Sequence, residues 1–139
     1  MVRINNEYYV YPEIAKLLEK AGFDWNTEFG QHIWDKCKRL ENNRNFNSEK
    51  YLVSLPTLDV AQRWLREVKG YSIYPTRGGY KIYVLDINDS SGFSRTYELN
   101  STLTYEESQE AGIKKALEIK KKHIKSQPFE NNKIDIRLL

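Results

Sequence analysis

Two runs, Y-S-I-Y-P at 71–75 and Y-K-I-Y-V-L-D-I at 80–87, are separated by T-R-G-G. Paired glycines between apolar, aromatic runs permit the positive φ angles that a tight antiparallel reversal demands, so this stretch must be a hairpin. A second turn sequence, N-D-S-S-G at 88–92, leads into residues where Phe93, Arg95, Tyr97 and Leu99 alternate with Ser94, Thr96 and Glu98. That period of two predicts a third antiparallel strand. Helical patterns flank the three. Upstream, Thr57 is placed to cap a helix carrying Leu58, Ala61, Trp64, Leu65 and Val68 on one side and ending at Gly70. Downstream, Thr104 and Glu107 form the S/T-x-x-E capping box of a helix expected from Tyr105 to about Ile124. Its inner face should use Tyr105, Gly112, Ile113, Ala116 and Leu117, with Glu110/Lys114 and Glu118/Lys122 as outer i, i+4 pairs.

The N-terminal third is less regular. Residues 7–11, E-Y-Y-V-Y, suit a short strand, and Pro12 suits the first position of a helix carrying Ile14, Leu17, Leu18 and Ala21 and closing at Gly22. Between 23 and 40, Phe29, Ile33, Cys37 and Leu40 form a helical stripe, so a helix is expected there, with a hairpin as the alternative. Residues 41–50 hold four asparagines and almost nothing apolar, which reads as a loop and a lobe boundary, and 51–55 reads as a strand. The expected organisation is therefore α+β. An N-terminal α/β lobe at 1–45 precedes a core at 46–125 of helix, three-stranded antiparallel sheet and helix, and a tail follows at 126–139. In that tail K-I-D-I-R-L-L at 133–139 is a candidate edge strand for this sheet or for a homodimer.

The chemistry-bearing residues are sparse. Cys37 has no disulfide partner, and His32 and His123 stand far apart, so no zinc site, no other metal site and no cofactor is expected. Cys37 lies between Lys36 and Lys38, yet a lone cysteine on an apolar stripe is ordinarily a small buried hydrophobe. His32 lacks an identifiable orienting carboxylate. Asp86, Asp89 and Glu98 could converge as in a metal-dependent nuclease, a disfavoured alternative, because Asp89 suits its turn and the other two suit a solvent face. No catalytic residue is assigned. Met1 to Val10 has no apolar core of signal-peptide length and no stretch approaches a membrane span, so a cytoplasmic protein with no membrane partner is expected.

Charge is unevenly spread: residues 1–110 carry 14 basic against 16 acidic side chains, and residues 111–139 carry 8 against 3. Lys120, Lys121, Lys122 and Lys125 are the dense part, and with Arg63 and Arg66 they are the candidate nucleic-acid contacts. The same lysines are explained by a helix C-terminus, whose dipole favours cations by ~0.3–1 kcal/mol each.

The order αβββα over residues 57–125 resembles the double-stranded-RNA-binding fold. That resemblance implies phosphate-directed lysines at the start of the last helix, where this chain has Glu106, Glu107 and Glu110. At the level of sequence, W-L-R-E-V-K-G-Y-S-I-Y-P at 64–75 and T-Y-E-E-S-Q-E-A-G-I-K-K-A-L at 104–117 resemble small uncharacterised proteins of prophages and mobile elements of gut bacteria. The likeness is best over 51–120, with Y-P-E-I-A-K-L-L-E-K-A-G-F-D at 11–24 as a weaker companion. It implies an origin and no activity. The expected function is that of a non-enzymatic binding or accessory protein acting on a protein partner, with a nucleic-acid-binding regulator as the alternative.

Overall fold

The computed structural model describes the backbone of residues 1–33, 35–85 and 93–126, and their side chains apart from 35–38, 85, 93–95 and 120–126. Strands β1 (Val2–Ile4) and β2 (Glu7–Tyr9) form a hairpin at the start. Its two-residue turn is Asn5-Asn6, both at positive φ (52° and 66°), a conformation asparagine tolerates better than other side-chain-bearing residues. Helix α1 (Pro12–Lys20) follows with its proline in the first turn, and Gly22 closes it at φ 100°.

Residues 23–40 are not the expected helix but the hairpin: β3 (Thr27–His32) turns back into β4 (Asp35–Arg44). The helical stripe was a coincidence of spacing. Thr27, Phe29 and Gln31 are buried at every second position with exposed Glu28 between the first two, the period of a strand rather than of a helix, and Gly30 is buried on the other face. Phe29 and Gln31 pair in register with Leu55 and Val53 of β5 (Leu52–Leu55), giving the sheet order β4-β3-β5.

The asparagine-rich segment is likewise not the expected loop boundary. β4 runs through it to Arg44, and a 3-10 turn at Phe46–Ser48 comes next. Phe46 is fully buried with its ring against Gly30, where a Cβ would stand 2.4 Å from the ring carbons, so only glycine leaves the ring its seat. The Asn47 side chain donates to the Phe23 carbonyl at 2.8 Å and accepts from the Ser54 amide at 2.8 Å, and Ser54 Oγ accepts from the Phe46 amide at 3.0 Å. These asparagine and serine groups stand in for missing backbone partners, which is why polar sequence is ordered here. Since β5 pairs with β3, the sheet crosses the division expected at 45/46.

The C-terminal half follows the expected order. Thr57 Oγ1 accepts from the Val60 amide to cap α2 (Leu58–Trp64), and a π-helical turn at Leu65–Lys69 carries the chain to Gly70, left-handed at φ 76°. The wider turn rotates its own residues relative to α2, so Val68, expected inside, is 51% exposed. β6 (Tyr71–Thr76), β7 (Gly79–Leu85) and β8 (Phe93–Asn100) form an antiparallel sheet in that order, and α3 (Tyr105–Ser126) lies across it. Gly79 sits at φ 148° with a hypothetical Cβ only 1.9 Å from the Leu99 carbonyl oxygen, the closest strand approach at the turn. The expected turn at 88–92 and the candidate strand at 133–139 lie outside the described residues.

One hydrophobic cluster spans both halves, from Tyr9, Val10 and Leu18 through Phe29 and Leu55 to Trp64, Ile82, Ile113 and Ile119. Trp64 is its largest fully buried side chain, and its indole N–H has no acceptor among the described residues. The orphaned donor costs about 1–3 kcal/mol. Burying some 200 Å² of ring surface contributes roughly 5 kcal/mol, so the ring stays in.

Candidate binding surfaces

Alternation along β6, β7 and β8 sorts their side chains onto two faces. Tyr71, Ile73, Tyr80, Ile82 and Val84 point into the core beneath α3. Ser72, Tyr74, Thr76, Lys81, Tyr83, Thr96 and Glu98 occupy the other face, which no described element covers. There Tyr74 and Tyr83 meet edge to face, ring centroids 5.5 Å apart at 80°, and Tyr74 is 57% exposed. Lys81 stands in register between Tyr74 and Glu98, so the cation of this face has an acid beside it.

The platform is clamped from behind. Buried Gln109 donates to Asp59 Oδ1 at 2.7 Å and to Gln62 Oε1 at 2.9 Å, and Gln62 donates to the Ile73 carbonyl, so α3, α2 and β6 share one chain of bonds. Ser108 Oγ accepts from the Gly79 amide at 3.1 Å, while the Gly78 amide donates to the Leu103 carbonyl at 2.8 Å. Ser108 and Gln109 are therefore inner-face residues of α3. Tyr105, expected on that face, is the first residue of α3 and is exposed. The only hint in the sequence was that Ser108 and Gln109 adjoin the stripe Gly112, Ile113, Ala116.

Tyr9, at the joint of the two halves, donates its hydroxyl to Glu28 Oε1 at 3.0 Å. Burial, then the hydrogen bond to Glu28 and that carboxylate's charge, push its pKa up to about 12. Burial, then the charge of Glu118, also raises Tyr80.

The expected site residues divide. Arg63 on α2 and Arg66 in the π-helical turn are both exposed, and both approach Glu67, at 3.7 and 3.9 Å. Arg63 also lies over the Trp25 ring, 4.8 Å from its centroid, in a cluster with Phe23 and Trp64 that the sequence did not announce. His32 stacks on Tyr51, which Lys50 also approaches. Glu98 is exposed on the open sheet face. The backbone of Lys120, Lys121, Lys122 and Lys125 forms the last turns of α3. Their side chains, that of Cys37, and residues Asp86 and Asp89 lie outside the described residues. Among the described residues no three His, Cys, Asp or Glu side chains are grouped to hold a metal, and no helix is long and apolar enough to cross a membrane.

No family model matches the chain, and comparison with curated proteins and with solved structures gives no significant match.

Proposed function

We propose that this chain is a non-enzymatic binding module, an accessory protein of a prophage or mobile element, that engages a protein partner through the open face of its β6–β7–β8 sheet. The observation that carries this reading is exposed Tyr74 packed edge to face on half-buried Tyr83, on a face whose reverse side is fixed by α2 and α3. Tyrosine suits such a role because a rigid ring offers large contact area at low entropic cost and its hydroxyl tolerates both water and partner. Near-balanced charge, Lys81 beside Glu98, favours a protein surface over a phosphate backbone. The titratable groups with visible partners serve the fold: Glu28 holds Tyr9, Asp59 holds Gln109, and Glu107 caps α3.

A photo-cross-linking residue at position 74, compared with one at exposed Lys16, tests this in the native host. A discrete protein adduct from position 74 alone is expected. Equal labelling at both positions, or none at 74, rejects the sheet-face reading. The nucleic-acid alternative rests on Lys120, Lys121, Lys122 and Lys125, with Arg63 of α2 and Arg66 of the π-helical turn. It requires salt-sensitive binding to DNA or RNA that neutralising Lys120, Lys121 and Lys122 together weakens for all sequences alike.

A further inference from the structure

The two edges of the β6–β7–β8 sheet differ. The Ser101 amide donates to the Gly78 carbonyl at 2.7 Å, which fixes the phase of the β7–β8 ladder, so Leu99 and Tyr97 are the β8 residues that bond to Tyr80 and Ile82. Thr96, Glu98 and Asn100 alternate with them, are exposed, and turn their amides and carbonyls outward, where no described element receives them. By the same phase Tyr80 bonds toward β8 and not toward β6. The nitrogen of its β6 partner Pro75 therefore faces outward, and proline has no hydrogen to offer there. The β6 edge is blunted, and the β8 edge is not. The other sheet is guarded as well, because α1 rests against β5, while β4 pairs irregularly with β3 and carries Arg39, Glu41 and Arg44. On its helix side β8 is also thinly covered. Helix α3 rests mainly on β6 and β7, which leaves Leu99 37% exposed and Tyr97 half-buried with Lys115 over its ring.

We propose that β8 pairs antiparallel with β8 of a second copy of this chain, joining two sheets edge to edge about a two-fold axis at Tyr97. A row of outward amides and carbonyls is completed by another strand, and an isologous pairing opposes the residues of the two copies symmetrically about one central residue. Centring on Glu98 would set two carboxylates directly opposite each other. Centring on Leu99 would leave most of the strand unpaired, since β8 ends at Asn100. Centring on Thr96 would put Glu98 against Ser94, where the irregularity opposite Val84 and Leu85 breaks the phase. The register centred on Tyr97 avoids all three faults. Thr96 of each copy exchanges bonds with Glu98 of the other, Leu99 falls opposite Arg95, and the two Tyr97 residues form a non-hydrogen-bonded pair, the closest cross-strand position. This self-complementary register is what favours a second copy over an unrelated strand. The axis stands perpendicular to the sheet, so both Tyr74–Tyr83 pairs remain together on one face, and the pairing does not depend on what that face binds.

Sedimentation equilibrium of the full chain at rising concentration should show a reversible dimer. Glu98→Pro removes an outward donor from each copy, as Pro75 does at the other edge, and spares the bonds to β7, so it should weaken the dimer about tenfold or more. In a Cys37→Ser background, Tyr97→Cys at the axis should form an intermolecular disulfide on mild oxidation, and Leu99→Cys, opposite Arg95, should not. Tyr74→Ala should leave the dimer unchanged, so failure of the edge pairing and failure of the open face as a binding site are separate results. A monomer at every concentration overturns the proposal, as it would if another segment of the chain or a foreign strand covered the edge. So does a dimer undiminished by Glu98→Pro with a native circular dichroism spectrum, cross-linking at position 99 equal to that at 97, or a dimer abolished by Tyr74→Ala. If Glu98→Pro fails to fold, the two cysteine variants still decide.

Discussion

In the β6–β7–β8 sheet, strict alternation puts Tyr71, Ile73, Ile82 and Val84 inward, glycines make the turn, and a capping box starts the covering helix. In the β4–β3–β5 sheet, side chains do what periodicity does elsewhere. Asn47 ties Phe23 to Ser54, Phe46 fills the space Gly30 leaves, and Arg44 lies over the Phe46 ring at 4.3 Å. The first arrangement is written in residues adjacent in sequence. The second is written in partners as far apart as Phe23 and Asn47, and no local pattern encodes it.

If Phe46 organises the N-terminal sheet, Phe46→Ala should be the most damaging single change in that half of the molecule, at about 3–5 kcal/mol, because it leaves a cavity against a glycine that cannot fill it. Chemical denaturation followed by tryptophan fluorescence and by far-UV circular dichroism should give coincident transitions, both shifted. The reason is that Phe29 and Leu55 belong to the same hydrophobic cluster as Ile82 and Ile113. Two separated transitions would show that the sheets fold as independent units.

Next in size is Asn47→Ala, which deprives the Phe23 carbonyl and the Ser54 amide of their side-chain partners at once. Each unsatisfied group costs about 1–3 kcal/mol, and because both contacts are only part-buried the lower part of that range applies, so a loss of roughly 2–4 kcal/mol is expected in the same denaturation experiment. A loss no larger than that of an ordinary surface substitution, within about 0.5 kcal/mol, would mean that solvent replaces the asparagine and that the segment is a loop in energetic terms.

These two residues mark where the sequence stops being readable. Composition of the E-N-N-R-N-F-N-S segment signals a loop because asparagine prefers turns, and that inference holds only while its amide bonds locally. Asn45 does so, accepting from the Asn47 amide, but Asn47 reaches across the chain. The spacing of Phe29, Ile33, Cys37 and Leu40 satisfied a helix, and nothing in it revealed that Gly30 would be covered by an aromatic ring sixteen positions away. By contrast T-R-G-G, Thr57 and Thr104 each act on neighbours within a few residues, and each does what its sequence implies. The open tyrosine face was legible as alternation.

Tyr9 sharpens the comparison because it joins the two regions, bonding Glu28 of β3 and bridging to Thr57 before α2. Its pKa stands near 12 in the folded chain, against about 10 when unfolded. The protonated form is therefore favoured by folding. The corresponding stability, roughly 2–3 kcal/mol, is fully present below pH ~10 and lost as pH rises toward and through ~12. Tyr80 shifts in the same direction, so the wild-type protein should weaken steeply in alkali. Tyr9→Phe should cost about 1 kcal/mol at neutral pH and flatten part of that alkaline slope. An unchanged slope between pH 9 and 12 would remove Tyr9 as the joint's titrating group.

The smallest effect belongs to the most legible feature. Thr104 Oγ1 accepts from the Glu107 amide at 3.2 Å and Glu107 Oε1 accepts from the Thr104 amide at 2.9 Å, both in an exposed turn. Thr104→Ala removes one of the two reciprocal bonds and should cost ~0.5–2 kcal/mol, toward the lower end because water can reach the freed amide. Glu107→Gln should cost less still, since an amide oxygen can accept from Thr104 in the same geometry and only the favourable interaction with the helix dipole is reduced. The order Phe46→Ala, Asn47→Ala, Thr104→Ala is thus the order of increasing solvent access, from buried Phe46 through half-buried Asn47 to exposed Thr104. If Thr104→Ala proved as damaging as Asn47→Ala, burial would not be what separates the two sheets, and the capping box would be holding the Gly78–Leu103 contact behind it as well as the first turn of α3.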